Sequence, residues 1–277
     1  MRIVVCSMND IGRYAIEELA SHNLVAGLFT VKERGKLYME PTDYTELAAK
    51  FKIPLYKNPD INAPEVEAQM RALEPDFCMT IGWKQIIKKN MLDIPKYGWV
   101  GGHPTKLLFP GEKVEPDTLC APGNEPLNHA IRGGYKKTAM TLFWLKEKID
   151  TGELFARGVI DLDEHETSAT LLEKMGRMTA RLVLDNLPAM LAGKPPRIPQ
   201  QMQDEQPFMK KLLADENVID PAKPAKETYA LIRSEVLPYP NAFIDFYGMR
   251  IYVEHARFEN DKCTELNVRV GGTPWGR

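Results

Sequence analysis

Five short apolar runs separated by amphipathic stretches fill the first hundred residues, and this alternation restricts the fold more than any other feature of the chain. Arg2–Ser7 holds Ile3, Val4, Val5 and Cys6 with no polar residue between them, the pattern of a strand buried on both faces. Asp10 is placed to cap a helix in which Ile11, Ala15, Ile16 and Leu19 share one face. A second strand is expected at Leu24–Val31, a helix starting at Thr42 or Asp43, and a short third strand at Ile53–Tyr56. A helix over Pro64–Leu73 leads to a fourth strand, Phe77–Ile81. A turn at Gly82-Trp83 and one more helix lead to a fifth, Gly98–Gly101. Strand and helix alternating through short connections predict an α/β fold with a doubly wound, mostly parallel sheet.

Beyond the fifth strand the pattern breaks. Pro110, Gly111, Pro116, Pro122, Gly123 and Pro126 exclude regular structure over most of Leu108–Asn128, and a loop of that length in a compact domain is usually functional or disordered. Strands follow at Thr141–Leu145 and Leu154–Leu162. Ser168 is then placed to cap the longest helix, with Leu171, Met175, Met178 and Leu182 on its apolar face and Gly193 at its end. The Pro- and Gln-rich stretch Lys194–Gln206 sets a domain boundary near Gln200. The chain then divides into a catalytic domain, 1–200, and a small C-terminal α+β appendage, 201–277. The appendage contains a helix (Ala225–Glu235), a turn at Pro238-Tyr239-Pro240-Asn241, and two or three strands between Ala242 and Val270, too few to close a five-stranded barrel.

Charge and cysteines remove whole classes of function. A formal net charge of -2 offers no field for a polyanion, so a nucleic-acid partner is disfavoured. No stretch approaches the roughly 18–20 apolar residues that a membrane span needs. Cys6, Cys78, Cys120 and Cys263 show no paired spacing, which argues against a disulfide framework and against a metal site. The expectation is a reduced, cytoplasmic setting, with a homodimer left open.

Two places carry chemistry. Val100-Gly101-Gly102-His103-Pro104-Thr105 lies at the C-terminal end of the fifth predicted strand, where open parallel sheets bind ligands. His103 has the right acidity for proton transfer near neutrality; the plain alternative is a histidine that only hydrogen-bonds a loop. Asp150-Thr151-Gly152 is by itself an ordinary turn tripeptide. A His and an Asp on neighbouring strand-end loops would, however, suit acyl transfer to an amine. Ser7–Gly12 lacks the Gly-x-Gly-x-x-Gly fingerprint of a nicotinamide enzyme.

The segment Gly102-His103-Pro104-Thr105-Lys106-Leu107-Leu108 resembles the Asn-x-His-Pro-Ser-Leu-Leu-Pro motif of the folate-dependent formyltransferases. Glu125-Pro126-Leu127-Asn128-His129-Ala130-Ile131 is similar to that family's Ala-Pro-Ile-x-Trp-Ala-Ile, and Thr138–Leu145 followed by Asp150-Thr151-Gly152-Glu153-Leu154 to its Thr-Gly-Val-Thr…Asp-Thr-Gly-Asp-Ile. Tyr229–Tyr247 resembles the start of the C-terminal domain in members acting on methionyl-tRNA and on nucleotide-linked sugars.

This resemblance implies a Rossmann-like formyltransferase fold and N-formyl transfer from 10-formyltetrahydrofolate, the co-substrate, to a primary amine. It makes His103 and Asp150 the catalytic pair. It places the folate against Ile81, Gly82, Trp83 and Lys84 and against Glu147, Lys148 and Asp150. The acceptor would meet Ser7, Met8, Asn9, Gly12 and Asn124. The slightly acidic balance favours a small amine, a nucleotide-linked amino sugar, over methionyl-tRNA. Three positions depart from the pattern. Gly101 replaces the asparagine that donates to the formyl oxygen, and loss of such a donor costs about 10²–10³ in rate. Phe109–Gly123 replaces a shorter Arg-Gly loop, and Lys148 replaces a loop glycine. A catalytically silent folate-binding relative and a hydrolase releasing formate therefore stand as alternatives.

Overall fold

The computed structural model describes residues 1–31, 38–58, 60–147, 151–201 and 209–271. Seven strands form the main sheet: β1 (Ile3–Ser7), β2 (Val25–Thr30), β3 (Leu55–Lys57), β4 (Phe77–Ile81), β5 (Gly98–His103), β6 (Lys137–Trp144) and β7 (Leu154–Asp161). Their order is β3-β2-β1-β4-β5-β6-β7. The first five run parallel, β6 is antiparallel to β5, and β7 is antiparallel to β6. The mostly parallel α/β sheet expected from the alternation is therefore present. Its strand order reverses beside β1: the chain moves outward to β3, then returns to place β4 on the other side. A crevice opens at such a reversal, outside the carboxyl ends of the two strands.

Two-sided burial explains the uninterrupted apolar runs. Ile3 and Val5 face one hydrophobic layer with Phe77 and Met79, while Val4 and Cys6 face a second with Cys78 and Trp99. The first layer is covered by α1 (Asp10–Ser21) and α6 (Ser168–Asp185), which pack against each other, and the second by α3 (Pro64–Ala72) and α4 (Lys89–Leu92).

Several boundaries differ from expectation for local reasons. Asn9 holds the position before α1; Asp10 is its first residue and accepts a hydrogen bond from Thr42 Oγ1 at 2.8 Å. Asp43 accepts the Thr45 N–H at 3.0 Å, and α2 (Thr45–Phe51) starts beyond it. Thr167 rather than Ser168 caps α6: its Oγ1 accepts the Thr170 N–H at 3.2 Å while Thr170 Oγ1 accepts the Thr167 N–H at 3.0 Å, a reciprocal cap. The helix ends at Asp185, not at Gly193, because Pro188 has no N–H to continue the ladder. A short α7 (Leu187–Leu191) follows.

The C-terminal strands are three: β8 (Ala242–Phe246), β9 (Met249–Glu259) and β10 (Lys262–Val270), paired antiparallel in the order β10-β9-β8. Between α5 (Pro126–Arg132) and α8 (Ala225–Ser234) lies the fully buried carboxylate of Glu235. Arg132 Nη2 donates to it at 2.6 Å, Tyr38 Oη at 2.8 Å and Asn128 Nδ2 at 2.9 Å. Burial pushes this carboxyl above its ordinary range, and Arg132 and the donors pull against that. The cluster fixes α5, and α5 carries one wall of the crevice.

Candidate active site

The crevice beside β1, β4 and β5 encloses a cavity of about 340 Å³. Asn9 approaches from the end of β1, Gly82, Trp83 and Lys84 from the end of β4, and Gly101, Gly102 and His103 from β5. β5 extends two residues past the expected Gly101, so His103 is its last residue, paired with Thr141 of β6. The His103 carbonyl accepts the Thr105 N–H at 2.9 Å, a tight turn around Pro104 that ends the strand. Only 7 % of His103 is exposed, and it borders the cavity. A histidine held there can exchange a proton with a ligand shielded from bulk water.

Two glycines shape the floor. Gly82 has φ +57°, and a β-carbon on it would lie 2.0 Å from Asn9 Oδ1, so the Asn9 amide lies directly over the β4 turn. At Gly101 a β-carbon would meet Leu145 Cδ2 at 2.5 Å and Phe143 Cζ at 3.1 Å. The room that an asparagine would use is occupied by an apolar wall. Asn9 Oδ1 and Trp83 Nε1 are buried without a hydrogen-bond partner among the described residues. Both belong to residues of the cavity wall.

Of the sequence-predicted residues, the cavity brings together His103, Gly82, Trp83, Lys84, Glu147, Asn9 and Asn124. It does not bring in Ser7, Met8, Gly12 or Ile81. Ser7 Oγ donates to the Ile81 carbonyl at 2.7 Å and shares a 2.8 Å hydrogen bond with Tyr44 Oη; a β-carbon on Gly12 would strike that Oγ. Ser7 and Gly12 therefore form the packed support of the β1 turn, and the Met8 and Ile81 side chains are buried beside it. Lys148 and Asp150 lie outside the described residues.

Residues that sequence reasoning missed include Glu125, Tyr239 and Leu145. Glu125 is 5 % exposed, has φ +48°, and accepts a hydrogen bond from Lys84 Nζ at 3.0 Å. A glutamate where the similar family motif has alanine was a usable signal. Tyr239 crosses from the C-terminal segment to the same wall; burial holds its phenol well above its ordinary pKa, with the nearby Glu125 charge adding to the shift. Of the long loop, only the Gly123–Leu127 end reaches the cavity among the described residues. Its earlier part is pinned elsewhere by Lys106, which bonds Glu112 at 3.1 Å and Glu115 at 2.9 Å, and by Arg157, which grips Glu112 with both terminal nitrogens.

Comparisons with known proteins bear on the family and the fold. The methionyl-tRNA formyltransferase of Bacillus licheniformis is 28 % identical over 253 residues, 90 % of this chain and 74 % of the relative. In fold, the chain resembles the methionyl-tRNA formyltransferase of Clostridium thermocellum, with a TM-score of 0.67 at 19 % identity over 98 % of each chain. It also resembles the N-formyltransferase of Helicobacter canadensis solved with folinic acid and dTDP-3-aminofucose, with a TM-score of 0.61 at 11 % identity over 93 % of this chain and 88 % of that one. The model of the family described as formyl transferase matches residues 14–187, well over half of the chain. The chain belongs to the formyl transferase family of enzymes.

Proposed function

We propose that this formyltransferase moves a formyl group from 10-formyltetrahydrofolate to the primary amine of a small acceptor, a nucleotide-linked amino sugar. The observation that carries the choice of a small acceptor is the C-terminal sheet. Arg250 pairs with Asp245 at 2.8 Å, Arg257 with Glu259 at 2.7 Å, and Arg269 with Glu254 at 3.1 Å. Cations already matched by carboxylates on the same sheet leave little to neutralise RNA phosphates. The Helicobacter canadensis neighbour, solved with an amino-sugar nucleotide, supports the same class. The second reading, methionyl-tRNA as acceptor, draws on the sequence relatives.

The folate would lie against Gly82, Trp83 and Lys84, with Asn9 Oδ1 and Trp83 Nε1 as polar contacts. It supplies the electrophilic formyl carbon: the acceptor nitrogen bonds to that carbon, the bond from the carbon to N10 breaks, and N10 takes a proton. His103 accepts the proton that the acceptor nitrogen gives up, and Asp150 orients and relays. The apolar wall of Phe143 and Leu145 keeps water from the reacting carbon.

The test is tetrahydrofolate release from 10-formyltetrahydrofolate with dTDP-linked amino sugars, with methionyl-tRNA, and with no acceptor. Release that depends on the sugar is expected. Release driven by methionyl-tRNA alone would replace the acceptor, and acceptor-independent formate would make the chain a hydrolase. His103→Ala is expected to abolish transfer with the fold intact. Asp150→Asn is expected to lower turnover far more than folate binding, and an equal loss of both would reassign Asp150 to the turn.

A further inference from the structure

Glu125 occupies a setting that a purely structural ion pair does not require. Its backbone is left-handed, which costs a residue with a side chain on the order of 1–2 kcal/mol. Its carboxylate is nearly buried, and burying a charge costs more unless it is well matched. Its charge partner among the described residues is Lys84 Nζ, on a side chain that is 44 % exposed. The pair sets a nearly buried carboxylate against a partly exposed ammonium, so water competes for the cation and screens the attraction that offsets those two costs. Both the strain and the burial hold one carboxylate at the wall of the cavity that His103 borders.

The charges around the cavity single Glu125 out further. Among its described lining residues the charged side chains are Lys84, Lys146, Glu125 and Glu147, and all but Glu125 are exposed. A ligand entering the cavity therefore meets one buried charge, and it is negative. A primary aliphatic amine arrives at neutral pH as an ammonium, the same chemical group that Lys84 now presents to Glu125. An ammonium can replace another at a carboxylate with little change in charge or hydrogen bonding. The Lys84 side chain is 44 % exposed, so water can solvate its ammonium when another cation takes its place at Glu125.

We propose that Glu125 is the acceptor-binding residue of this site, its carboxylate taking the ammonium of the incoming amine in place of Lys84 Nζ. This inference rests on the transferase reading above and names what that site selects: an acceptor that arrives charged at the nitrogen to be formylated. That nitrogen gives one proton to His103 to free its lone pair before attack, and supplies the second to N10 as the bond from the formyl carbon to N10 breaks. Asn124, the preceding residue, has its N–H tied to the Met209 carbonyl at 3.0 Å, and Glu235 clamps α5 just beyond. The carboxylate is thus carried on a segment fixed at both ends, as a selective contact requires.

The experiment is calorimetric titration of folate-free protein with a panel of nucleotide-linked amino sugars, led by dTDP-3-aminofucose, and with the N-acetylated form of each. Wild type, Glu125→Gln and Lys84→Met are compared, and thermal unfolding of each variant is recorded. Wild type is expected to bind the amine about tenfold more tightly than the N-acetyl form, Glu125→Gln to lose that preference, and Lys84→Met to keep or enlarge it. In the release assay, Glu125→Gln should raise the acceptor KM about tenfold and leave the folate KM within about twofold. Equal affinity of wild type for the two forms overturns the inference. So does a preference that survives Glu125→Gln, or a Glu125→Gln variant that loses thermal stability while both KM values rise together, which would make the residue structural. Transfer that proceeds with Glu125→Gln unchanged sinks only this inference. Failure of every amino sugar in the panel both to bind and to drive release sinks the amino-sugar reading along with it.

Discussion

Restoring the family asparagine at Gly101 is expected to damage the protein before it helps the chemistry. A β-carbon there would stand 2.5 Å from Leu145 Cδ2, 3.1 Å from Phe143 Cζ and 3.3 Å from Thr80 Oγ1. Leu145 must retreat by about an ångström to reach ordinary contact, and the amide beyond the β-carbon needs still more room. Overpacking of this sort costs about 1–3 kcal/mol. Leu145 is half-buried against the cluster of Leu107, Phe143 and Leu154, so Leu145→Ala alone should cost about 1–2 kcal/mol. In the double variant the two changes answer each other: the asparagine occupies space that the leucine has left. Urea unfolding should therefore show a favourable coupling of about 1 kcal/mol or more between the sites. Folate-release kinetics should follow the same order, with Gly101→Asn below wild type and Gly101→Asn/Leu145→Ala above Gly101→Asn. A Gly101→Asn variant within about 0.5 kcal/mol of wild type, or strictly additive energies, would refute the account of Leu145 as the occupant of the asparagine's place.

Further outcomes follow from charges elsewhere. Burial alone would raise the Glu112 carboxyl, but Arg157, the Phe109 N–H and Lys106 outweigh it and hold its pKa at about 2. A carboxylate depressed in the folded state stabilises fully above its unfolded value near 4.5 and loses that contribution as pH falls toward about 2. Solvent screening at this partly exposed group leaves on the order of 1–2 kcal/mol, so the stability gap between wild type and Glu112→Gln should narrow by that amount between pH 5 and about 2 in denaturant titrations; a gap independent of pH would refute it. Removing the cation from the buried cluster is more severe. Arg132→Ala leaves the fully buried Glu235 without its charge partner and should cost about 3–5 kcal/mol, partly recovered by Arg132→Ala/Glu235→Gln. Equal Tm values for the single and double variants would show that Glu235 is not the source of the loss.

What the sequence made legible was whatever a short stretch of chain decides alone. Ile3–Cys6 reads as a two-sided strand because four apolar residues in a row can be buried only between two layers, and Ile3/Val5 and Val4/Cys6 do divide between them. His103 reads as a site because a strand end in a parallel sheet is where crevices open. Cap residues were less secure, since Asn9 and Asp10, or Thr167 and Ser168, have nearly equal claims and one backbone angle decides between them. The direction of β6 was not written in its residues at all, because an apolar strand suits either pairing. The same limit hid half of the site. Glu125 meets Lys84 from 41 positions away, and Tyr239 reaches the wall from the far end of the chain. Neither partnership leaves a periodic trace, because each depends on α5 being clamped by Tyr38, Asn128, Arg132 and Glu235, four residues drawn from three separate parts of the sequence. The strand ends supply the floor of the cavity, and these long-range contacts build the wall above it. A difference in acceptor between proteins of this fold should therefore trace to positions such as Glu125, Leu145 and Tyr239, where the surrounding fold rather than the local motif decides what the side chain touches.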